Sequence, residues 1–326
     1  MLLRPPVPPL PAQGFAARGL AWIALSAVLL LGGTAPARAQ SGAPDFLLSA
    51  AKPPVLKAKA VHEASGLAVS SRNNSYLWIV NDSGSAPDLH LVEAGGTYRG
   101  KVGVSGTANT DWEDLASFTL EGKPFLLAAD TGDNTAKRET CTLIVIREPE
   151  LPAAGKSLDG QTRPAWVIRF RYEDGPRDCE SVAVDAAAGT VLMLSKREPL
   201  PGVYRLALRP ADAGVVQVAR RLGTTKVSPT ADTLIPFADQ PTGLDIAADD
   251  SLAAVVTYYG VFLFPRQPAE GWEAAFARRP VPLAPHRLAQ AESVAFTKDG
   301  NSLYVVSEGR TSRIVCYQRQ QAPAKP

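Results

Sequence analysis

Histidine and cysteine are scarce in this chain, with three of each among 326 residues, and aromatic residues make up only 7%. His62, His90 and His286 are too few for a multinuclear site built from imidazoles, and three cysteines are too few for a disulfide scaffold. A basic excess is also missing. The formal charge is +2, but residues 1–39 hold Arg4, Arg18 and Arg38 and no acid, so the remainder carries −1. That balance excludes a broad footprint for nucleic acid or anionic lipid. No G-x-S-x-G elbow, H-E-x-x-H helix or P-loop occurs. Ser49-Ala-Ala-Lys52 matches S-x-x-K but lacks the companion motifs. What remains, 45% hydrophobic and 20% charged, is the composition of a globular protein.

Only one long apolar run is present, at residues 20–33, behind Arg4 and Arg18 and ahead of Ala37-Arg38-Ala39. It is short for a bilayer span, and the small–x–small triplet suits signal peptidase. The expectation is a signal peptide over 1–39 cleaved before Gln40, and hence a periplasmic or secreted protein. The alternative is an uncleaved N-terminal anchor. No lipobox cysteine or twin arginine accompanies the run. Residues 40–52 read as a linker, 53–320 as one domain and 321–326 as a flexible tail. No transmembrane anchor is expected in the mature chain, which reads as a monomer.

Five short segments align without gaps. They are Glu63-Ala-Ser-Gly-Leu-Ala-Val, Asp111-Trp-Glu-Asp-Leu-Ala-Ser, Asp178-Cys-Glu-Ser-Val-Ala-Val, Gln240-Pro-Thr-Gly-Leu-Asp-Ile and Gln290-Ala-Glu-Ser-Val-Ala-Phe. A second apolar run follows each, ending at Asp82, Asp130, Lys196, Tyr258 and Glu308, either 15 or 16 positions beyond the fourth residue of the first segment. Turn residues separate the two runs, and third and fourth runs follow in most units. The unit is a four-stranded antiparallel meander recurring every 48 to 67 residues. Radial repetition of such sheets predicts an all-β fold, a β-propeller. Five blades are expected, or six if residues 227–236 belong to an extra one. Pro54-Val-Leu-Lys-Ala-Lys59 is a candidate closing strand, residues 149–164 and 223–241 read as loops, and 270–278 as one short helix.

Propeller topology gathers the polar residues. The start of each first strand and the end of each second strand lie at the same mouth of the central channel. Three columns meet there: Glu63, Asp111, Asp178, Gln240, Gln290; then Ser65, Glu113, Glu180, Thr242, Glu292; then Asp82, Asp130, Lys196, Tyr258, Glu308. Crowded carboxylates raise one another's pKa unless a cation compensates. An oxygen-only donor set suits a hard divalent cation, Ca²⁺ most simply. The expected metal ligands are Asp111, Glu113, Asp130, Asp133, Asn134, Glu180 and Glu292, the loop Asp130-Thr-Gly-Asp-Asn134 supplying three of them. Expected ligand contacts are Glu63, Asp82, Arg138, Tyr258 and Glu308. The competing reading is that the acids cap strand ends and face a solvated channel.

Other residues carry weaker signals. His62 beside Glu63 is a candidate acid or base, or a hydrogen-bonded strand-end residue. Trp112 reads as packing between blades. Cys141 and Cys179 either pair in an oxidising compartment or are small buried residues.

The motifs resemble a group of exported bacterial propellers that share E-x-S-G-L-A, N-D-S-G, D-W-E-D-L-A, D-x-G-D-N with a following Arg, D-x-E-S and a late E-x-x-x-F with S-E-G. Here these are Glu63 to Ala68, Asn81 to Gly84, Asp111 to Ala116, Asp130 to Asn134 with Arg138, Asp178 to Val182, and Glu292 to Phe296 with Ser307 to Gly309. The group is similar to esterase-like phytase and SdiA-regulated propeller domains. The resemblance implies a calcium-supported polar mouth and phosphoester chemistry, although this chain carries few Lys and Arg near that mouth. Three functions compete. One is a module binding a small molecule or a protein at the mouth. Another is a metal-dependent ester or phosphoester hydrolase, with Glu113, Glu180 and Glu292 at the reacting centre and Lys196 stabilising developing charge. The last is a glycosidase using two of the carboxylates.

Overall fold

In the computed structural model, which describes residues 44–49, 52–212, 214–227 and 237–320, the regular structure is almost entirely β-strand. The apolar run at 20–33, the expected cleavage site before Gln40, the segment 228–236 and the tail from 321 lie outside them. A short strand, β1 (Phe46–Leu48), comes first. Then follow β2 (Ala64–Val69), β3 (Tyr76–Asn81), β4 (Asp88–Glu93) and β5 (Tyr98–Val104), one antiparallel meander. The next unit is β6 (Trp112–Leu120), β7 (Lys123–Asp130) and β8 (Cys141–Arg147), completed after β9 (Leu158–Thr162) by β10 (Pro164–Tyr172). The third is β11 (Cys179–Asp185), β12 (Thr190–Ser195), β13 (Gly202–Ala207) and β14 (Gln217–Thr224). The fourth holds β15 (Gly243–Ile246), β16 (Leu252–Val256) and β17 (Val261–Pro265), then α1 (Trp272–Ala277) and the edge strand β18 (Val281–Pro282). The last comprises β19 (Ala291–Phe296), β20 (Ser302–Ser307) and β21 (Val315–Arg319).

The first strands neighbour one another in the cyclic order β2, β6, β11, β15, β19 and back to β2. Five hydrophobic cores lie between successive units, the last joining β19 and β20 to β2 and β3. This is a β-propeller, and it explains the burial pattern. Inner and second strands are covered on both faces by neighbouring sheets, so Leu77-Trp-Ile-Val80 and Val191-Leu-Met-Leu194 read as unbroken apolar runs and are buried. The outer strand β10 is covered on one face, so buried Ile168, Phe170 and Tyr172 alternate with exposed Arg169 and Arg171.

Two expectations about connections are corrected. The strand that completes the last sheet is β1, in the expected linker, with Phe46 opposite Arg319 and Leu48 opposite Tyr317. Residues 54–59 make only single bridges, Val55 with Arg313 and Lys57 with Thr97. Phe46 can be buried against Phe296, with ring centroids 6.1 Å apart, whereas Pro53 and Pro54 lack the N–H groups a ladder needs. The expected loop 149–164 contains β9, which pairs in parallel with β5 as a fifth strand. The fourth strands β10 and β14 also pair in parallel, fusing two units into one eight-stranded sheet. Both pairings cover sheet edges otherwise open to another chain. The helix lies where expected, its Trp272 and Phe276 buried between the third and fourth units. Trp112 is fully buried between the first two. No helix among the described residues is long and apolar enough to cross a membrane.

Candidate functional site

The mouth is built by a backbone irregularity repeated around the ring. In β2, β6, β11 and β19 the antiparallel register slips by one residue, and the unpaired residues are Ser65, Glu113, Glu180 and Glu292. A bulge re-aims the side chain it carries. The hydroxyl-bearing members of the column tie inner strands together: Ser65 Oγ donates to the Trp112 carbonyl at 2.6 Å and Thr242 Oγ1 to that of Ala291 at 2.7 Å. Glu113 makes no such bond, and Thr131 Oγ1 instead reaches the Cys179 carbonyl at 2.8 Å.

The three bulged glutamates converge. Glu113, Glu180 and Glu292 are buried, and each offers a carboxylate oxygen within 4.8 Å of the others. Asp82, Asp111 and Glu113 form a second group on the same criterion, so Glu113 belongs to both. Gly132 makes room for it. A Cβ there would stand 2.2 Å from Glu113 Oε1 and 2.4 Å from Asp111 Oδ2.

The surroundings divide the acids into paired and unpaired sets. Lys196, itself buried, forms an ion pair with Glu180 and lies 5.1 Å from the Tyr258 ring centre. Tyr258 donates its hydroxyl to Glu292 at 2.8 Å. Arg197 binds Asp178 at 2.6 Å. Glu113 has no hydrogen bond or ion pair among the described residues, although only 4% of it is exposed. Burial, followed by the charges of Glu180, Asp82, Asp111 and Glu292, drives its carboxyl well above the ordinary range. Burial likewise pushes Asp111 up to about 6, aided by a hydrogen bond to Asp82 that requires a shared proton. Glu292 rises to about 7 through burial and then Glu308. Glu308 rises to about 7 through burial and then Asp82. Glu180 rises to about 8 because burial outweighs the Lys196 charge.

Not every expected ligand arrives. Asp130 accepts from Arg138 at 2.7 Å and from the Thr110 N–H at 3.2 Å. Asp133 accepts the Arg138 N–H at 2.7 Å. Asn134 is exposed. The spacing of that loop suggests a cation loop, but Arg138 and the Asp178 carboxylate of the next unit take its polar groups, the latter accepting the Asp133 N–H at 2.8 Å. The structure therefore places Asp130, Asp133 and Asn134 outside the acidic groups and makes Arg138 a staple of the loop. Glu63 is exposed at the rim, 3.8 Å from the His62 ring nitrogen Nε2. Cys141 and Cys179 are free thiols, buried, their pKa pushed up to about 11 and about 12.

One residue eluded the sequence reading. Asp114, next to Glu113, is fully buried and accepts N–H groups from Leu115 and Val182 at 2.8 Å and from Leu244 at 3.1 Å. It links β6 to β11 and β15 across the axis and floors the mouth. Close packing at this level shows at Gly66, where a Cβ would come within 2.6 Å of the Asp114 and Leu115 backbone. The acidic fourth position of that segment was its sequence signal.

No family model matches the chain, and no curated protein matches it in sequence. Among solved structures it is similar to the major allergen Mala s 1 of Malassezia sympodialis, a β-propeller, at 11% identity and a TM-score of 0.54, over 85% of this chain and 99% of the other. It also aligns with hydrazine synthase of Kuenenia stuttgartiensis at 12% identity and a TM-score of 0.39, over 80% of this chain and 72% of the other. The likeness to Mala s 1 bears on the fold alone.

Proposed function

We propose that this is an exported propeller that binds a divalent cation, Ca²⁺ by its donor chemistry, in the acidic mouth, and that the mouth serves to bind a small-molecule or protein ligand. The observation that carries this reading is Glu113, a buried carboxylate with no hydrogen bond among the described residues, held among four other carboxylates. Its oxygens keep access to the channel, and burial together with the neighbouring carboxylates disfavours its ionised form unless a cation compensates. The fit supports a calcium-sized ion. Oxygens on opposite sides of bound Ca²⁺ stand about 5 Å apart, and the glutamate oxygens lie within 4.8 Å of one another. The Ser181 and Ser293 hydroxyls, each following one of the glutamates in sequence, are buried without a partner among the described residues. Glu113, Glu180 and Glu292 would hold the ion, Asp111 and Asp82 flanking them. The ion would supply positive charge for an oxygen-rich ligand reached through Tyr258, Glu308 and Glu63 at the rim. The motifs shared with exported propellers carry these same residues.

A second reading, metal-dependent ester or phosphoester hydrolysis, draws on the buried ammonium of Lys196 beside the glutamates. That ammonium is committed to Glu180, which favours the binding reading. The deciding experiment measures metal content of the chain from Gln40 onward and its melting curve with Ca²⁺ and with chelator. Near-stoichiometric calcium and a lower melting point on chelation are expected, both lost in Glu113→Gln. No metal and no shift would overturn the proposal. Calcium-dependent turnover of p-nitrophenyl esters or phosphates would replace binding by hydrolysis.

A further inference from the structure

The channel has a second opening. At the end opposite the acidic mouth, the terminal residues and turns of all five inner strands surround a cavity of about 450 Å³. That volume falls within the range of small-molecule sites. Phe118, Val184, Ile246 and Phe296 are among the residues that wall it, together with small alanines of the turns. One buried acid lines it: Asp245, from β15. The backbone fixes its carboxylate. Oδ1 accepts the Ile246 N–H at 2.9 Å, and Oδ2 accepts the Phe296 N–H of the neighbouring inner strand at 2.7 Å. Each oxygen keeps a further lone pair. No cation pairs with Asp245 among the described residues. In this it differs from Asp185, which takes Arg266 at 3.4 Å and Trp272 Nε1 at 2.9 Å. The other charged residues lining the cavity are Glu121 and Asp250 against a single Lys298. Its field therefore favours a cation.

We infer that this second cavity binds a small organic cation, a protonated amine on an apolar body, with the ammonium against Asp245 and the body against the aromatic and aliphatic walls. Burial holds the Asp245 carboxyl up to about 7, the state of an acid that an arriving ammonium would ionise. The site lies on the opposite face from the acidic mouth and does not depend on a metal there.

The probe is benzylamine, with benzyl alcohol as its neutral counterpart of similar shape, titrated calorimetrically against the chain from Gln40 onward at neutral pH. Saturable benzylamine binding is expected, with benzyl alcohol weaker by about tenfold or more, the effect of losing one charge-assisted hydrogen bond. Asp245→Asn should weaken benzylamine by a similar factor. Because that variant disturbs two backbone contacts, Ala248→Trp provides an independent check. Ala248 is exposed on the cavity rim, and a bulky ring there should block entry without touching the interior. Absence of saturable benzylamine binding, equal binding of the alcohol, or undiminished binding by Ala248→Trp would each overturn the inference.

Discussion

Glu113 and Asp114 are consecutive, both buried and both acidic, yet they belong to different regions of the molecule. Asp114 lies in the floor of the mouth, where three backbone N–H groups from three inner strands bind it. Glu113 lies in the mouth itself, where four other carboxylates face it and no donor among the described residues bonds it. The floor is a solved hydrogen-bonding problem, and the mouth is an unsolved one. A carboxylate that spans strands stabilises the fold, while a carboxylate left unsatisfied is held there by the rest of the fold and is available to a ligand. One bulge separates the two roles, because it turns successive side chains away from simple alternation.

The sharpest way to break this contrast is Asp114→Ala. It orphans buried N–H groups on Val182 and Leu244 and leaves a void on the axis, so a loss of about 3–6 kcal/mol is expected. Ca²⁺ should stabilise variant and parent alike and leave the difference between them unchanged. Denaturant melts with and without Ca²⁺ would check this, and a loss below about 1 kcal/mol would show that the floor is not a staple.

The mouth should behave in the opposite way. Glu113→Gln removes repulsion from the metal-free protein, so its melting point in chelator should equal or exceed that of the parent. At Ca²⁺ a hundredfold above its dissociation constant the parent should gain about 2.7 kcal/mol and the variant almost nothing. Unfolding of the variant in chelator would make Glu113 a structural residue like its neighbour.

The pH dependence distinguishes the regions again. A carboxyl whose pKa is higher in the folded than in the unfolded state binds more protons when folded, so its contribution to stability is present at low pH and lost as pH rises through the folded value. Between pH 6.5 and 8 the raised groups include Glu292, Glu308 and Asp245, near 7, and Glu180, near 8. Buried His90, lowered to about 4 from 6.5, is neutral when folded while the unfolded imidazole still binds a proton near pH 6.5, so it opposes the carboxyls at the low end of this window and fades above it. The metal-free melting point should therefore fall from pH 6.5 to 8. Saturating Ca²⁺ should remove the part that comes from the mouth, and Asp245→Asn the part that comes from the other cavity. A flat metal-free profile would contradict the assignment of buried, unpaired carboxyls.

The smallest effect on stability and the finest test of geometry is Gly132→Ala. Its methyl group meets the mobile ends of Asp111 and Glu113, not backbone, so folding should change by about 1 kcal/mol or less. The displaced carboxylates should nonetheless weaken calcium binding about tenfold, measurable by titration calorimetry. Unchanged affinity would place the ion away from Glu113.

Much of this was legible in the residue order. The five aligned segments, with offsets of 15 or 16, carry the propeller, the shared mouth and the convergence of Glu113, Glu180 and Glu292. Those features are periodic, and periodicity survives in one dimension. The roles of Asp130, Asp133 and Asn134 were not legible, because local spacing imitates a cation loop while the decisive partners are Arg138 and an aspartate from another unit. Nor was the closing strand, where two prolines and one buried phenylalanine decide between neighbouring segments.

By itself, then, the sequence determined which residues repeat, which runs are covered on both faces and which end of the channel is acidic, since these follow from side-chain period and strand direction. Only the tertiary structure decided which acids have partners. Some partners are near in sequence, such as Arg138 for Asp130, but others, such as Asp133 with Asp178 or Asp114 with Leu244, lie 45 and 130 residues apart and meet only once the ring has closed.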